Sequence, residues 1–119
     1  MGGKPMSRVK AYGYINSSGI ENGANEKQEL TIRPYATARN IKIMRFYRED
    51  LTNRNSPVES AFSKLLLDLE GNDQGINILL VENLDHLAQD LTVQSALIWE
   101  LRSQGCEVIS ALEGSLYNS

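Results

Sequence analysis

The sequence predicts a three-layer α/β domain, a mainly parallel four-stranded sheet in the order 2-1-3-4 with helices on both faces. Three observations carry that prediction. Compact apolar runs alternate along the chain with segments of helical period. The run Ile76 to Val81 (INILLV) is nearly unbroken in its apolar character, as a strand covered on both faces must be. The resulting order β, α, β, α, β, α, β calls for right-handed crossovers between parallel neighbours.

Taken in order, Val9 to Ile15 (VKAYGYI) reads as a strand that runs out into Asn16, Ser17, Ser18 and Gly19, with a polar loop through NGANEK. A helix is expected from about Thr31 to Arg39, with Thr31 as its N-cap and Pro34 tolerated because it would fall in the first turn. Ile41 to Tyr47 (IKIMRFY) alternates at Ile41 and Ile43, then slips phase at Arg45 or Phe46, and reads as a second strand followed by a loop REDLTNRN.

Ser56 to Glu59 (SPVE) opens the next helix: Ser56 caps, Pro57 takes the first helical position and Glu59 completes a capping box. Phe62, Leu65, Leu66 and Leu69 then share one face, and Gly71 is the stop. Burying those side chains stabilises the fold by roughly 1.5 to 3 kcal/mol each. Ile76 to Val81 belongs in mid-sheet. A third helix spans about Thr92 to Gln104, with Val93, Leu97 and Leu101 in one row and Gly105 as its end signal. Cys106 to Leu112 forms the last strand. The domain is expected over residues 9–114, between a disordered segment 1–8 and a tail 115–119.

Composition narrows the function. The 119 residues, 41% hydrophobic and 23% charged, suit one globular domain. No apolar run reaches membrane-spanning length and the start MGGKPMSR lacks a secretory apolar core, so a cytoplasmic protein with no membrane partner is expected. A formal charge of −3 does not present the broad basic field that drives binding to a phosphate backbone, so DNA contact would be local or supplied by a partner or missing domain. The single cysteine, Cys106, forms no internal disulfide and reads as a small core residue. Neither GxxxxGK[ST] nor GxGxxG is present, one histidine among scattered carboxylates is no metal signature, and no cofactor or metal is expected.

In a flavodoxin-like strand order, ligand chemistry gathers beyond the carboxyl ends of the first and third strands. The loops there are Asn16 to Lys27 and Glu82 to Asp90, which hold Ser17, Ser18, Asp85, His86 and Asp90. Ser17 and Ser18 beside Gly19 also suit a turn, and Asp85 and Asp90 suit helix caps. The basic and aromatic RFYR at Arg45 to Arg48 reads as an exposed edge strand more than a nucleic-acid platform.

The motifs GYINSSG, at the end of the first strand, and LDHLAQD, after the third, resemble those of the serine recombinases of the resolvase/invertase family. GYINSSG places Tyr14 on the tyrosine of that family's first strand and Ser18 on the serine that attacks the DNA phosphate; LDHLAQD at Leu84 to Asp90 follows the family's LDRLxRD; and Gln28 matches a glutamine early in the first helix. ESAFSKLL and WELRSQGCEVISALEG resemble the family's middle helix and its final helix, glycine and strand. The resemblance covers residues 9–114 and implies a resolvase-like fold with catalytic candidates Ser18, Asp85, His86 and Arg54.

The departures are in the charges. The family arginine two residues before the nucleophile is Asn16, the arginine of LDRL is His86 and the second arginine of that motif is Gln89. The arginine at the start of the middle helix falls on Glu59, or on Arg54 if the loop is longer. Attack on a phosphodiester places negative charge on non-bridging oxygens, and a metal-free site neutralises it with guanidinium groups. Losing one such donor typically costs about 10² to 10³ in rate.

The leading expectation is a recombinase-like domain, catalytically impaired and retained for protein association or regulation of recombination, as a homo-oligomer or beside a recombinase partner. One alternative is an active recombinase that uses Ser18 with Arg54, Arg48 or a partner's arginines. Another is a flavodoxin-like interaction module unrelated to DNA. The long helix and DNA-binding domain that follow in the family have no counterpart before the chain ends at Ser119.

Overall fold

A five-stranded sheet in the order β2-β1-β3-β4-β5 forms the middle layer of the computed structural model, which describes residues 9–17, 24–50, 61–71, 75–88 and 90–115. The strands are β1 (Val9–Ser17), β2 (Ile41–Asp50), β3 (Ile76–Val81), β4 (Glu107–Ser110) and β5 (Gly114–Ser115); the helices are α1 (Ala24–Ala38), α2 (Ala61–Gly71) and α3 (Leu91–Ser103). The first four strands are parallel, in the expected order 2-1-3-4. The segment 1–8, the Ser56–Glu59 capping box and residues Ser18, Arg54 and Gln89 lie outside the described residues.

Two cores follow from this layering. On one face, Tyr12, Tyr14 and Tyr47 pack with Leu65 and Leu69 of α2, Leu101 of α3, and Leu79, Val81 and Val108 of the sheet. On the other, Ala11, Ile15, Leu80 and Ile109 meet Ile32 and Ala36 of α1. Leu79 and Leu80 therefore face opposite layers, as the unbroken apolar run of β3 requires. The phase slip in IKIMRFY is a bulge. Ala11 pairs with Ile43 but Tyr12 pairs with Arg45, leaving Met44 as the extra residue, so that Phe46 joins Ile41 and Ile43 on the α1 side while Tyr47 turns to the other.

Three expected elements are corrected. Helix α1 starts at Ala24, seven residues before Thr31, and holds Pro34 in its interior. The segment ANEKQEL is rich in good helix formers. Its inward position is filled by the polar Gln28, which hides the apolar period from the sequence. Leu30 and Pro34 both lie on the exposed side of α1, where water can solvate the carbonyl that Pro34 leaves without a partner. In α3 the inward row is Gln94, Ile98 and Leu101, and Val93 is 49% exposed. The stretch read as a last strand to Leu112 ends at Ser110. There the Ser110 hydroxyl donates to the Glu82 carbonyl and accepts from the Glu113 amide, and the chain turns back into the short antiparallel β5.

β2 also runs through Arg48 to Asp50, which the sequence assigns to a loop. Its arginines have partners within the chain. Arg48 and Arg33 both bond Glu29, at 2.8 and 2.6 Å, and Arg45 lies 3.3 Å from Asp68. The two guanidinium groups, Arg48 first, hold the Glu29 carboxyl below its ordinary range. The edge-strand reading of RFYR is the one the fold shows.

Candidate functional site at the strand ends

The carboxyl ends of β1 and β3 are adjacent, so the end of β1 meets the turn that follows Val81 at the reversal of strand order. The meeting is built from side-chain amides. Gln28 is 4% exposed and faces the end of β1, where its Nε2 donates to the Asn16 carbonyl at 2.9 Å and its Oε1 accepts from the Asn16 amide at 3.1 Å. Asn16 in turn extends Nδ2 to the main-chain carbonyl of His86 at 3.0 Å, tying the end of β1 to the turn after β3.

The second loop is a 3₁₀ turn, Leu84–His86, capped by Asn83, whose Oδ1 accepts from the Asp85 amide at 2.8 Å. A third amide closes it from behind. Gln94 of α3 is 8% exposed and donates to the carbonyls of Leu84 and Ala88. Asp90 caps α3 by accepting from Thr92 and Val93, so its capping reading is borne out. Asp85 projects into solvent and uses only its main chain in the turn.

His86 is half-buried. Its Nδ1 is shielded from solvent and, among the described residues, has no hydrogen-bond partner; Oε1 of Glu82 is 3.7 Å away. The other oxygen of Glu82 lies 3.0 Å from the Thr31 hydroxyl, which is also 3.1 Å from the Lys27 carbonyl and so stands inside α1 instead of capping it. At the end of β2, Glu49 Oε1 accepts from the Tyr14 hydroxyl at 3.1 Å and from the Phe62 amide at 3.2 Å. Burial, then the Glu49 charge, pushes the Tyr14 phenol well above its ordinary range, so Tyr14 is a neutral donor here.

Among the described residues, the ionisable side chains at these strand ends include Glu49, Glu82, Asp85 and His86, with Arg48 engaged by Glu29. Sequence reasoning located Asp85, His86, Tyr14 and Gln28 and missed Glu49, Glu82 and Gln94. Glu82 was within reach, since it directly follows the apolar run of β3 in the predicted site loop. No sequence signal marks Glu49 or Gln94, whose roles come from contacts across the fold. The described residues include no cluster of three metal-ligating side chains and no helix long and apolar enough to cross a membrane.

The sequence profile described as "Resolvase, N terminal domain" matches residues 11–119. The chain belongs to that family. Three solved structures share the resolvase fold. A resolvase family site-specific recombinase from Streptococcus pneumoniae superposes with a TM-score of 0.80 at 18% identity, over 94% of this chain and 78% of the other. The N-terminal catalytic domain of TP901-1 integrase gives 0.71 at 21% identity, over 88% and 78%. The C-terminal catalytic domain of ISC1926 TnpA, an IS607-like serine recombinase, gives 0.71 at 18% identity, over 87% and 70%. No curated protein sequence matches. At these identities the superpositions establish the resolvase fold, and the family match establishes a serine-recombinase-like domain related to site-specific recombination.

Proposed function

We propose that this resolvase-family domain is catalytically impaired and serves protein association or regulation in DNA recombination, not strand cleavage. One observation carries the reading: Asn16, at the position of a family arginine, commits its side chain to the His86 carbonyl. Its neutral amide ties the end of β1 to the turn at His86 and, unlike an arginine, carries no positive charge.

The described surroundings add negative charge. Carboxylates of Glu49, Glu82 and Asp85 line the same strand ends, and a phosphodiester approaching them meets charge of its own sign. His86, if protonated, faces Glu82 at 3.7 Å and would be partly neutralised by it. With Asn16, His86 and Gln89 at the positions of family arginines, an alkoxide at Ser18 and the charge on phosphate oxygens lose donors that lower such barriers.

The test is strand breakage in supercoiled DNA, comparing the natural chain with Ser18→Ala and with Asn16→Arg/His86→Arg/Gln89→Arg. The reading expects the natural chain to match Ser18→Ala, while the arginine variant gains serine-dependent nicking. Nicking by the natural chain that vanishes in Ser18→Ala defeats it.

A further inference from the structure

Strand β2 is the outer strand of the sheet. On one side it pairs with β1 from Val9↔Ile41 to Ser17↔Asp50; on the other, no described strand lies beside it. Its outward main-chain N–H and C=O groups form a row with which another extended segment can pair. Edge strands are commonly guarded by bulges and charged side chains, and β2 has both: the bulge at Met44, and the cations Lys42, Arg45 and Arg48.

The placement of the arginines opens that guard. Beyond the bulge, Phe46 and Arg48 face α1, where Arg48 lies over the Phe46 ring at 5.4 Å and bonds Glu29, with Arg33 over the same ring at 4.8 Å. Arg45 and Tyr47 face α2, where Arg45 lies over the Tyr47 ring at 4.8 Å and 3.3 Å from Asp68. The guanidinium groups are thus folded onto the two faces of the sheet, one set on each side of the main-chain row. All three side chains remain half-exposed. Arg48 meets Glu29 through Nη2 and Arg33 through Nε, and Arg45 meets Asp68 through Nη1. A guanidinium carries five N–H donors, so each has the capacity for a second carboxylate. With the exposed Lys42, these four cations outnumber the two carboxylates that hold them.

We propose that the β2 edge receives an extended acidic segment of a partner protein as an added strand. One carboxylate of that segment sits at Arg45 on the α2 face and another, three positions along, at Arg48 and Arg33 on the α1 face. The odd spacing follows from the alternation of side chains along a strand, which sends residues three apart to opposite faces. The inference names the kind of partner for the association role proposed above and rests on it. A peptide fits better than a nucleic acid, because a phosphate backbone has no donors to match the main-chain carbonyls of the row, whereas a peptide supplies donors and acceptors together.

Fluorescence anisotropy of a labelled oligothreonine of about eight residues, with two glutamates three positions apart, tests the proposal against the full chain. Saturable binding is expected at about 0.1 M salt, where charges more than about 10 Å away are screened, and weaker binding at about 1 M. Arg45→Gln and Arg48→Gln should each weaken it about tenfold, and so should moving the glutamates to two positions apart, which puts both on one face. N-methylation of alternate peptide amides separates strand addition from simple charge attraction. In one alternation the methyl groups block the N–H groups that pair with β2 and binding is lost; in the other they point away and binding persists. That comparison uses the unaltered protein, so it stands even if an arginine variant fails to fold.

Absence of binding at about 0.1 M salt overturns the proposal, as do N-methylated peptides that bind alike in both alternations. So does salt-sensitive binding of duplex DNA that is lost in Arg45→Gln/Arg48→Gln, which makes the edge a nucleic-acid surface. None of these outcomes bears on strand breakage at Ser18, so this inference and the impaired-enzyme reading fail separately.

Discussion

Gln28 closes a ring of two hydrogen bonds on the main chain of Asn16, donating to its carbonyl and accepting from its amide. A strand edge normally offers such groups to a neighbouring strand; here a helix side chain takes them at the end of β1, immediately before Ser17 and Ser18. The amide therefore holds the end of β1 against α1.

Replacing it exposes the cost of two unpaired main-chain groups. Gln28→Leu is expected to lose about 1–3 kcal/mol, because buried donors and acceptors left without partners carry their full desolvation penalty. Gln28→Glu retains shape but turns an oxygen toward the Asn16 carbonyl, so it should destabilise at neutral pH and recover partly in acid as the carboxyl gains a proton. Urea unfolding at both pH values measures this; a loss below about 0.5 kcal/mol for Gln28→Leu would remove Gln28 from this role.

A second prediction concerns the contact of β1 with the bulged half of β2. A Cβ on Gly13 would stand 2.5 Å from two carbons of the Phe46 ring. That ring lies beneath both Arg33 and Arg48, so it cannot swing away without disturbing them. Gly13→Ala should cost about 1–3 kcal/mol from overpacking. Phe46→Leu should relieve part of it, and thermal unfolding of the double mutant should show non-additivity; simple addition would mean the ring is not the obstacle.

Cys106 gives a pH-dependent prediction. Burial, with Glu107 adding to it, pushes its thiol up to about 12. The native chain keeps the proton where the unfolded chain loses it, so this stabilisation is complete below the ordinary thiol value of 9.0 and is lost as pH rises toward about 12. At pH 8 a chromogenic disulfide reagent should react with the folded chain slower by about three orders of magnitude than with the chain in denaturant. Comparable rates in both states would contradict the buried, protonated thiol.

Much of this fold is legible from apolar pattern alone, and the failures share a physical cause. INILLV announces a central strand, and Phe62 to Leu69 announces a helix face, because burial there is purely apolar. Gln28 and Gln94 defeat the same reasoning: each occupies an inward helical position, so the pattern shifts the start of α1 and rotates α3 by one residue. Their burial is satisfied by main-chain carbonyls and amides distant in sequence, which no local pattern encodes. The site shows the same division. Asp85 and His86 follow from the motif they sit in, whereas the Glu49 contacts with Tyr14 and Phe62 depend on β2 and α2 meeting in space.

The proposal that this resolvase-family domain is catalytically impaired is tested most directly at the phosphoseryl bond itself. The natural chain and Ser18→Ala can be incubated with a DNA duplex carrying end label and then denatured, and protein-linked DNA quantified by gel and peptide mass. The account predicts no Ser18-linked nucleotide above the Ser18→Ala background. A stable Ser18 phosphodiester, formed by the natural chain and absent from the variant, would contradict it.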